Sequence, residues 1–202
     1  MTPNPDKPFS PASERNRSPI VGLLRPLFAE VKSVLEIGSG TGQHAVFFGA
    51  QMPHLAWQTS DLAENHPAIR MWVEEAALSN VLPPLELNVG AEQWPVEQVD
   101  AVFTANTLHI MSWLNVEKLF AGVGRTLHAN GLFCVYGPFS YEGRHTSESN
   151  VRFDLSLRGQ NPLSGIRDFA QVCEVAAGND LFLQDDHAMP ANNRLLVFRK
   201  DR

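Results

Sequence analysis

"VLEIGSGTGQHA", residues Val34 to Ala45, is the stretch whose reading decides the fold. A short apolar run carrying one acid, Glu36, is followed by Gly38, Gly40 and Gly42 alternating with Ser39 and Thr41. That order reads as a buried strand turning sharply into a helix. Glycine suits the turn because a side chain there would hold a ligand away from the backbone. The helix opening near Thr41 offers free N–H groups and a positive dipole end to an anion. A pyrophosphate satisfies this arrangement, and so does the carboxylate of a ligand that carries an amino acid. A tight turn without any ligand is the third reading.

The rest of the chain alternates in the same way. The segments "SVLEI", "LAWQTSD", "PLELNV", "VDAVFTAN" and "LFCVYG" read as apolar strands. Between them, "GQHAVFFGAQM", "NHPAIRMWVEEAALSN" and "VEKLFAGVGRTLHANG" read as helices, the last stopping at Asn130-Gly131. After a loop, "LSGIRDFAQVCEVAAG" reads as a helix, and "LFLQDDHAM" and "RLLVFRK" as two strands joined by "PANN". Residues 1–13 read as irregular. From about Ser13, Ile20, Leu23, Leu24 and Leu27 fall on one helical face, with Pro19 and Pro26 as candidate breaks. Strands separated by helices imply a mostly parallel sheet with helices on both faces. The last two strands lack a helix between them and should pair antiparallel. The expectation is one α/β domain of seven strands, the final strand inserted antiparallel.

Bulk properties narrow the function. The chain has 202 residues, which is enough for a substantial single core. Its net charge of −6 argues against a nucleic-acid partner. No apolar run approaches the roughly 18 residues of a membrane span, and "MTPNPDKPFS" has no signal-peptide h-region. Cys134 and Cys173 lack metal spacing and read as buried reduced thiols of a cytoplasmic protein. No metal site is expected.

Spacing separates the ligands. The dinucleotide fingerprint is G-x-G-x-x-G. Here the pattern is E-x-G-x-G-x-G, from Glu36 to Gly42. It resembles the first motif of class I S-adenosylmethionine-dependent methyltransferases. Asp61 ends the second strand 23 positions after Gly38 (61 − 38), with Leu62 beside it. An acid there can accept both ribose hydroxyls; the alternative is an N-cap acid for the next helix. "LNVG" ends the third strand, where the family often carries an acid facing the adenine. This chain has Asn88 there, followed by Val89, which can pack on the ring. "DAVFTANTLHIMSW" resembles the fourth-strand motif, with Asn106 to His109 at the strand end, and "LHANGLFCVYGPF" the helix-turn-strand that follows.

A second resemblance covers almost the whole chain. "PFSPASERNRSPI", "GSGTGQHA", "WQTSD", "ANTLHI", "YGPF", "SNVRFDLSLRGQNP", "GIRD" and "MPANN" are similar to the methyltransferase-like 26 group, whose function is unknown. Together the resemblances imply a Rossmann-like class I methyltransferase fold over residues 1–202, with residues 1–30 as an N-terminal lid segment and 31–202 as the core. They imply S-adenosylmethionine as cofactor, held by Glu36, Gly38, Ser39, Gly40, Thr41, Gly42, Asp61, Leu62, Asn88, Val89 and Asn106. They imply a small-molecule or protein substrate and leave it unidentified.

The candidate catalytic residues are His109 and Tyr136. His109 has an ordinary pKa near 6.5, suited to base work, or is a histidine packed under the next helix. Tyr136 and Tyr141 flank Gly137-Pro138 and either line the acceptor pocket or pack at its rim. Arg15 and Asn16, in the polar "SERNR", are candidate lid residues. Asn150, Asp154 and Arg158 are candidates for the other wall, whereas Phe153, Leu155 and Leu157 read equally as core. The "ANTLH" segment lacks the [D/N]-P-P-[Y/F] of enzymes that methylate exocyclic base amines. The alternatives are a non-catalytic cofactor-binding or scaffold protein, and a nicotinamide-dependent reductase, which the glycine spacing disfavours.

Overall fold

The computed structural model describes residues 7–201. The chain forms two compact units, one ending at Asn88 and the other beginning at Val89. The N-terminal segment is therefore part of the first unit and not a separate element.

In the first unit the order is α1 (Pro11–Leu27), β1 (Ser33–Ile37), α2 (Gln43–Gln51), β2 (Ala56–Asp61), α3 (His66–Ala76) and β3 (Val81–Glu86). The Ser10 hydroxyl accepts from the Ser13 N–H at 3.2 Å and caps α1, with Pro11 at its first position. The helix starts two residues earlier than the apolar pattern predicts and runs unbroken past Pro19. Burial of Ile20, Val21 and Leu24 offsets the hydrogen bond that Pro19 forgoes. These residues belong to the face by which α1 packs on α2. β1 pairs parallel with β2, and β2 parallel with β3. β3 begins three residues before the predicted strand and contains Pro83 and Pro84, which an edge strand tolerates. The predicted helix over 65–80 ends early, where Ala77 takes a left-handed φ of 49°. The irregular reading of residues 1–13 holds for 7–10; its residues 1–6 lie outside the described ones.

The second unit runs β4 (Val99–Ala105), α4 (Trp113–Thr126), β5 (Leu127–Gly137), β6 (Phe139–Tyr141), β7 (Arg144–His145), α5 (Glu148–Gln160), β8 (Arg167–Asp168), α6 (Phe169–Ala177), β9 (Leu181–Met189) and β10 (Asn193–Lys200). The seven-stranded sheet has the order β3-β2-β1-β4-β5-β10-β9. β4 and β5 are parallel, while β10 is antiparallel to both β5 and β9, as the sequence predicts. The fold is the expected Rossmann-like α/β sheet with helices around it. In this unit Phe120 meets Phe133 and Phe198 edge to face, with ring centroids 5.2 and 5.8 Å apart.

Three local readings change. Asn130-Gly131 does not stop a helix: α4 ends at Thr126, and Asn130, at φ 64°, lies in an irregularity of β5 between the pairs Val99–Leu127 and Ala101–Leu132. The residues read as the start of the last helix instead form a turn and β8, which joins β6 and β7 in a small second sheet of order β7-β6-β8. The loop after β5 contains a helix, α5, whose buried face is Asn150, Asp154 and Leu157. That face is mostly polar, so apolar periodicity does not reveal it. Leu157 is core as expected, but Phe153 and Leu155 are exposed. Both cysteines are free; Cys134 is buried and Cys173 half-buried. Among the described residues no helix is long and apolar enough to cross a membrane.

Candidate functional site

β1 delivers the chain to the glycine loop through hydrogen bonds from the Gly38 and Ser39 N–H groups to the Ser60 carbonyl, both 3.0 Å. All three glycines take positive φ, at 75°, 58° and 88°, a region that side-chain-bearing residues avoid. Their surroundings then differ. A Cβ on Gly42 would lie 3.1 Å from the Ile69 Cα and 3.3 Å from the Trp72 Cβ, so Gly42 lets α2 approach α3. A Cβ on Gly40 would meet nothing within 4 Å. The exposed Gly40 borders open space, and that space is what a ligand needs.

Asp61, at the end of β2, is buried and spends its carboxylate on this loop. Its Oδ2 accepts from the Gly40 N–H at 2.7 Å. Its Oδ1 accepts from the Leu62 N–H and the Asn65 amide, both at 2.8 Å. The N-cap role weighed for Asp61 falls to Asn65, which stands at the N-cap of α3; Asp61 instead ties the turn to the Gly40 N–H. A ribose would have to take over the Gly40 N–H bond or share Oδ2. Leu62 is exposed beside it, as is Asn88 beyond β3, whereas Val89 is buried at the start of the second unit.

Glu36 is almost fully buried within β1. Its Oε2 accepts from Ser39 Oγ at 2.9 Å and Trp57 Nε1 at 3.1 Å. Burial raises its pKa from 4.5 to about 7 against those two hydrogen bonds, with a further push from the Asp61 charge. Gln43, the first residue of α2, was not among the sequence candidates. Its Oε1 accepts from the Ser10 N–H and from Thr41 Oγ1, while its Nε2 is buried with no partner. A buried amide directly after the last glycine is the signal that could have found it.

The lid candidates divide. Asn16 is buried, with Oδ1 2.6 Å from His44 Nε2, and His44 stacks on Phe48. Burial first, then the Arg17 charge, lowers the His44 pKa to about 4 against a hydrogen bond to the Ser13 backbone carbonyl. Arg15 is exposed. Ahead of α1 the chain is strapped to α3: Trp72 Nε1 donates to the Pro8 carbonyl at 2.7 Å, and Lys7 pairs with Glu75 at 2.7 Å. Residues 7–10 are therefore tied to α2 through Gln43 and to α3 through Trp72 and Glu75, and α1 packs on α2.

In the second unit Asn106 ends β4 at φ 58°, its N–H bonded to the Tyr136 carbonyl at 2.8 Å. His109 is buried edge-on against Phe153, ring centroids 5.1 Å apart. Desolvation and the Arg167 charge lower its pKa to about 4, so it is neutral but a weak base. The packed-histidine reading describes it better than a base poised near neutrality. Tyr136 is buried within β5. Tyr141 donates to Asp186 Oδ2 at 2.8 Å and stacks on Phe169, and burial together with Asp186 raises its pKa; this is rim packing. Asn150 Nδ2 donates to Thr146 Oγ1 at 3.0 Å and to the Asn192 carbonyl at 3.3 Å, and so ties α5 down. Asp154 and Arg158 do come together, Nε to Oδ2 at 2.8 Å. They face one cavity with His145, Arg167 and Asp168, none of which was singled out as a site residue.

Solved structures share this architecture. The chain is similar to an O-methyltransferase family protein from Burkholderia thailandensis, with a TM-score of 0.82 and 17% identity over 94% of this chain and 57% of that one. It is similar to the S-adenosylmethionine-dependent methyltransferase SibL, with a TM-score of 0.79 and 21% identity over 95% and 56%. Mitomycin 7-O-methyltransferase MmcR gives 0.76 and 14% over 86% and 50%. The chain spans little more than half the length of these proteins, and at such identities the likeness is one of fold. Residues 7–200 match the family described as "Protein of unknown function (DUF938)", and the chain belongs to that family.

Proposed function

We propose that the protein is an S-adenosylmethionine-dependent methyltransferase acting on a small molecule or a protein group in the cytoplasm. The observation that carries the reading is Gly40: left-handed, exposed, bordered by open space where a side chain would stand, and bonded through its N–H to the Asp61 carboxylate. The likeness of fold to methyltransferases supports it.

The residues of the first unit fit the cofactor. Gly38 to Gly42 allow close backbone approach, and the first turn of α2 carries neither an acid nor a side-chain cap, which leaves its N–H groups to a carboxylate. Gln43 Nε2 is a buried donor in want of an acceptor. Asp61 would hold hydroxyls, and the exposed Leu62 would cover an apolar face. Glu36, with its pKa near neutrality, holds a proton at its carboxyl for part of the time at physiological pH. When bound, the cofactor supplies a methyl group made electrophilic by its sulfonium. Transfer is an in-line displacement, so the chain's main task is orientation. A base is required only when the accepting atom must lose a proton.

Incubating the protein with methyl-labelled cofactor and with metabolite and protein extracts tests the proposal. Label transferred by the wild type and lost in Gly40→Val supports it. Cofactor binding without any transfer would favour the non-catalytic alternative.

A further inference from the structure

The second unit holds a cavity of about 430 Å³ whose lining contains none of the glycine-loop residues. Two phrases that stood outside the cofactor motifs build it. "SNVRFDLSLRGQNP" supplies Asp154 and Arg158, and "GIRD" supplies Ile166, Arg167 and Asp168. The volume falls in the range of small-ligand sites.

The hydrogen-bonding inventory of the walls is one-sided. Both carboxylates already accept from the protein. Asp154 Oδ1 takes the Ile166 N–H at 2.6 Å, and Oδ2 takes Arg158 Nε at 2.8 Å, with His145 Nε2 3.6 Å away. Asp168 takes the N–H groups of Gly143 at 2.9 Å and Ala170 at 3.0 Å, and the Ser140 hydroxyl at 3.4 Å. What is left over donates. Arg158, half-exposed, gives only Nε to a protein partner, so its two outer nitrogens face no acceptor among the described residues. Arg167, nearly buried, donates to the carbonyls of Leu108, Met111 and Leu163 and forms no ion pair among the described residues, the Asp154 charge acting on it only from beyond contact. A cavity with spent acceptors and spare cationic donors suits a ligand rich in acceptors.

The planar outer edge of a guanidinium matches a carboxylate with two parallel hydrogen bonds. A dianion such as phosphate would meet the wall carboxylates of Asp154 and Asp168 at close range. Trp113 and Ile166 add apolar surface for the body of the ligand. We propose that this cavity binds a small monocarboxylic acid, its carboxylate on the outer edge of Arg158 and its apolar body against Trp113 and Ile166. The inference stands whether or not the chain transfers methyl groups.

Benzoate is the probe, with benzamide and inorganic phosphate as controls, titrated into the full-length isotope-labelled protein and followed by amide shifts. Benzoate is expected to shift Gly143, Ile166 and Gln171, and benzamide and phosphate to leave them in place. Arg158→Gln should weaken benzoate about tenfold or more, since it removes a charge-assisted pair. Gln171→Glu, at an exposed position on the cavity wall, adds a negative charge without touching the Asp154 bonds and should also weaken it. If Arg158→Gln does not fold, Gln171→Glu decides alone. Equal response to benzoate and benzamide, shifts from phosphate but not benzoate, no benzoate shifts at these residues, or undiminished affinity in the folded variants would each overturn the proposal.

Discussion

Glu36→Gln should make the protein more stable at high pH while impairing the site. The carboxyl is almost fully buried in β1, and its pKa is raised from 4.5 to about 7 chiefly by desolvation. A carboxyl that holds its proton more tightly when folded contributes stability below pH 4.5 that is lost as pH rises through 7. The displacement corresponds to about 3 kcal/mol, an upper figure because burial sets it. The amide is neutral at every pH, and its oxygen keeps the donors from Ser39 Oγ and Trp57 Nε1. Measured against wild type by urea unfolding from pH 4 to 8.5, the variant should gain about 3 kcal/mol in relative stability across that range. Taking the difference removes the histidines, which titrate alike in both proteins. A stability difference that does not change with pH would refute the buried, proton-sharing Glu36 on which the argument rests.

Other perturbations separate roles within the same loop. Gly42→Ala should destabilise more than Gly40→Ala in thermal unfolding, because its Cβ meets Ile69 at 3.1 Å while that of Gly40 meets nothing. Both incur the left-handed penalty of about 1–2 kcal/mol. Asp61→Ala should lower cofactor affinity about 10- to 150-fold, by calorimetry, if one charged hydrogen bond to the ligand is lost. It should also lower stability, since three protein donors lose their acceptor; Asp61→Asn should do less of both. His109→Phe should gain about 2 kcal/mol on wild type between pH 7 and pH 5. The sign follows because a histidine held near pKa 4 when folded takes up its proton more readily unfolded, so stability is lost as pH falls below 6.5.

What the sequence made legible was backbone chemistry. Gly38, Gly40 and Gly42 mark a turn that only positive φ can make, and the chain takes positive φ at all three. The antiparallel end of the sheet was legible because "PANN" is too short for a crossover helix; a single 3-10 turn, Pro190–Asn192, joins β9 to β10. What stayed hidden was polar burial. α5 turns Asn150 and Asp154 inward and leaves Phe153 and Leu155 outside, the reverse of the pattern that periodicity looks for. Asn130-Gly131 carries the chemistry of a helix stop, yet Leu127 already pairs with Val99, and the left-handed residue serves a strand irregularity instead. Spacing marked Asp61 as the acid at the end of β2, but its ties to Gly40, Leu62 and Asn65 depend on atomic positions that spacing does not carry.

The central claim, that the glycine loop and Asp61 form a cofactor cradle, is tested most directly by calorimetric titration of the full-length protein with S-adenosylhomocysteine, alongside NAD and the Gly40→Val variant. The account predicts saturable binding of S-adenosylhomocysteine by the wild type, none of NAD, and loss of binding in a variant whose fold is retained. Binding that persists unchanged in folded Gly40→Val, or a wild type that binds NAD and not S-adenosylhomocysteine, would contradict it.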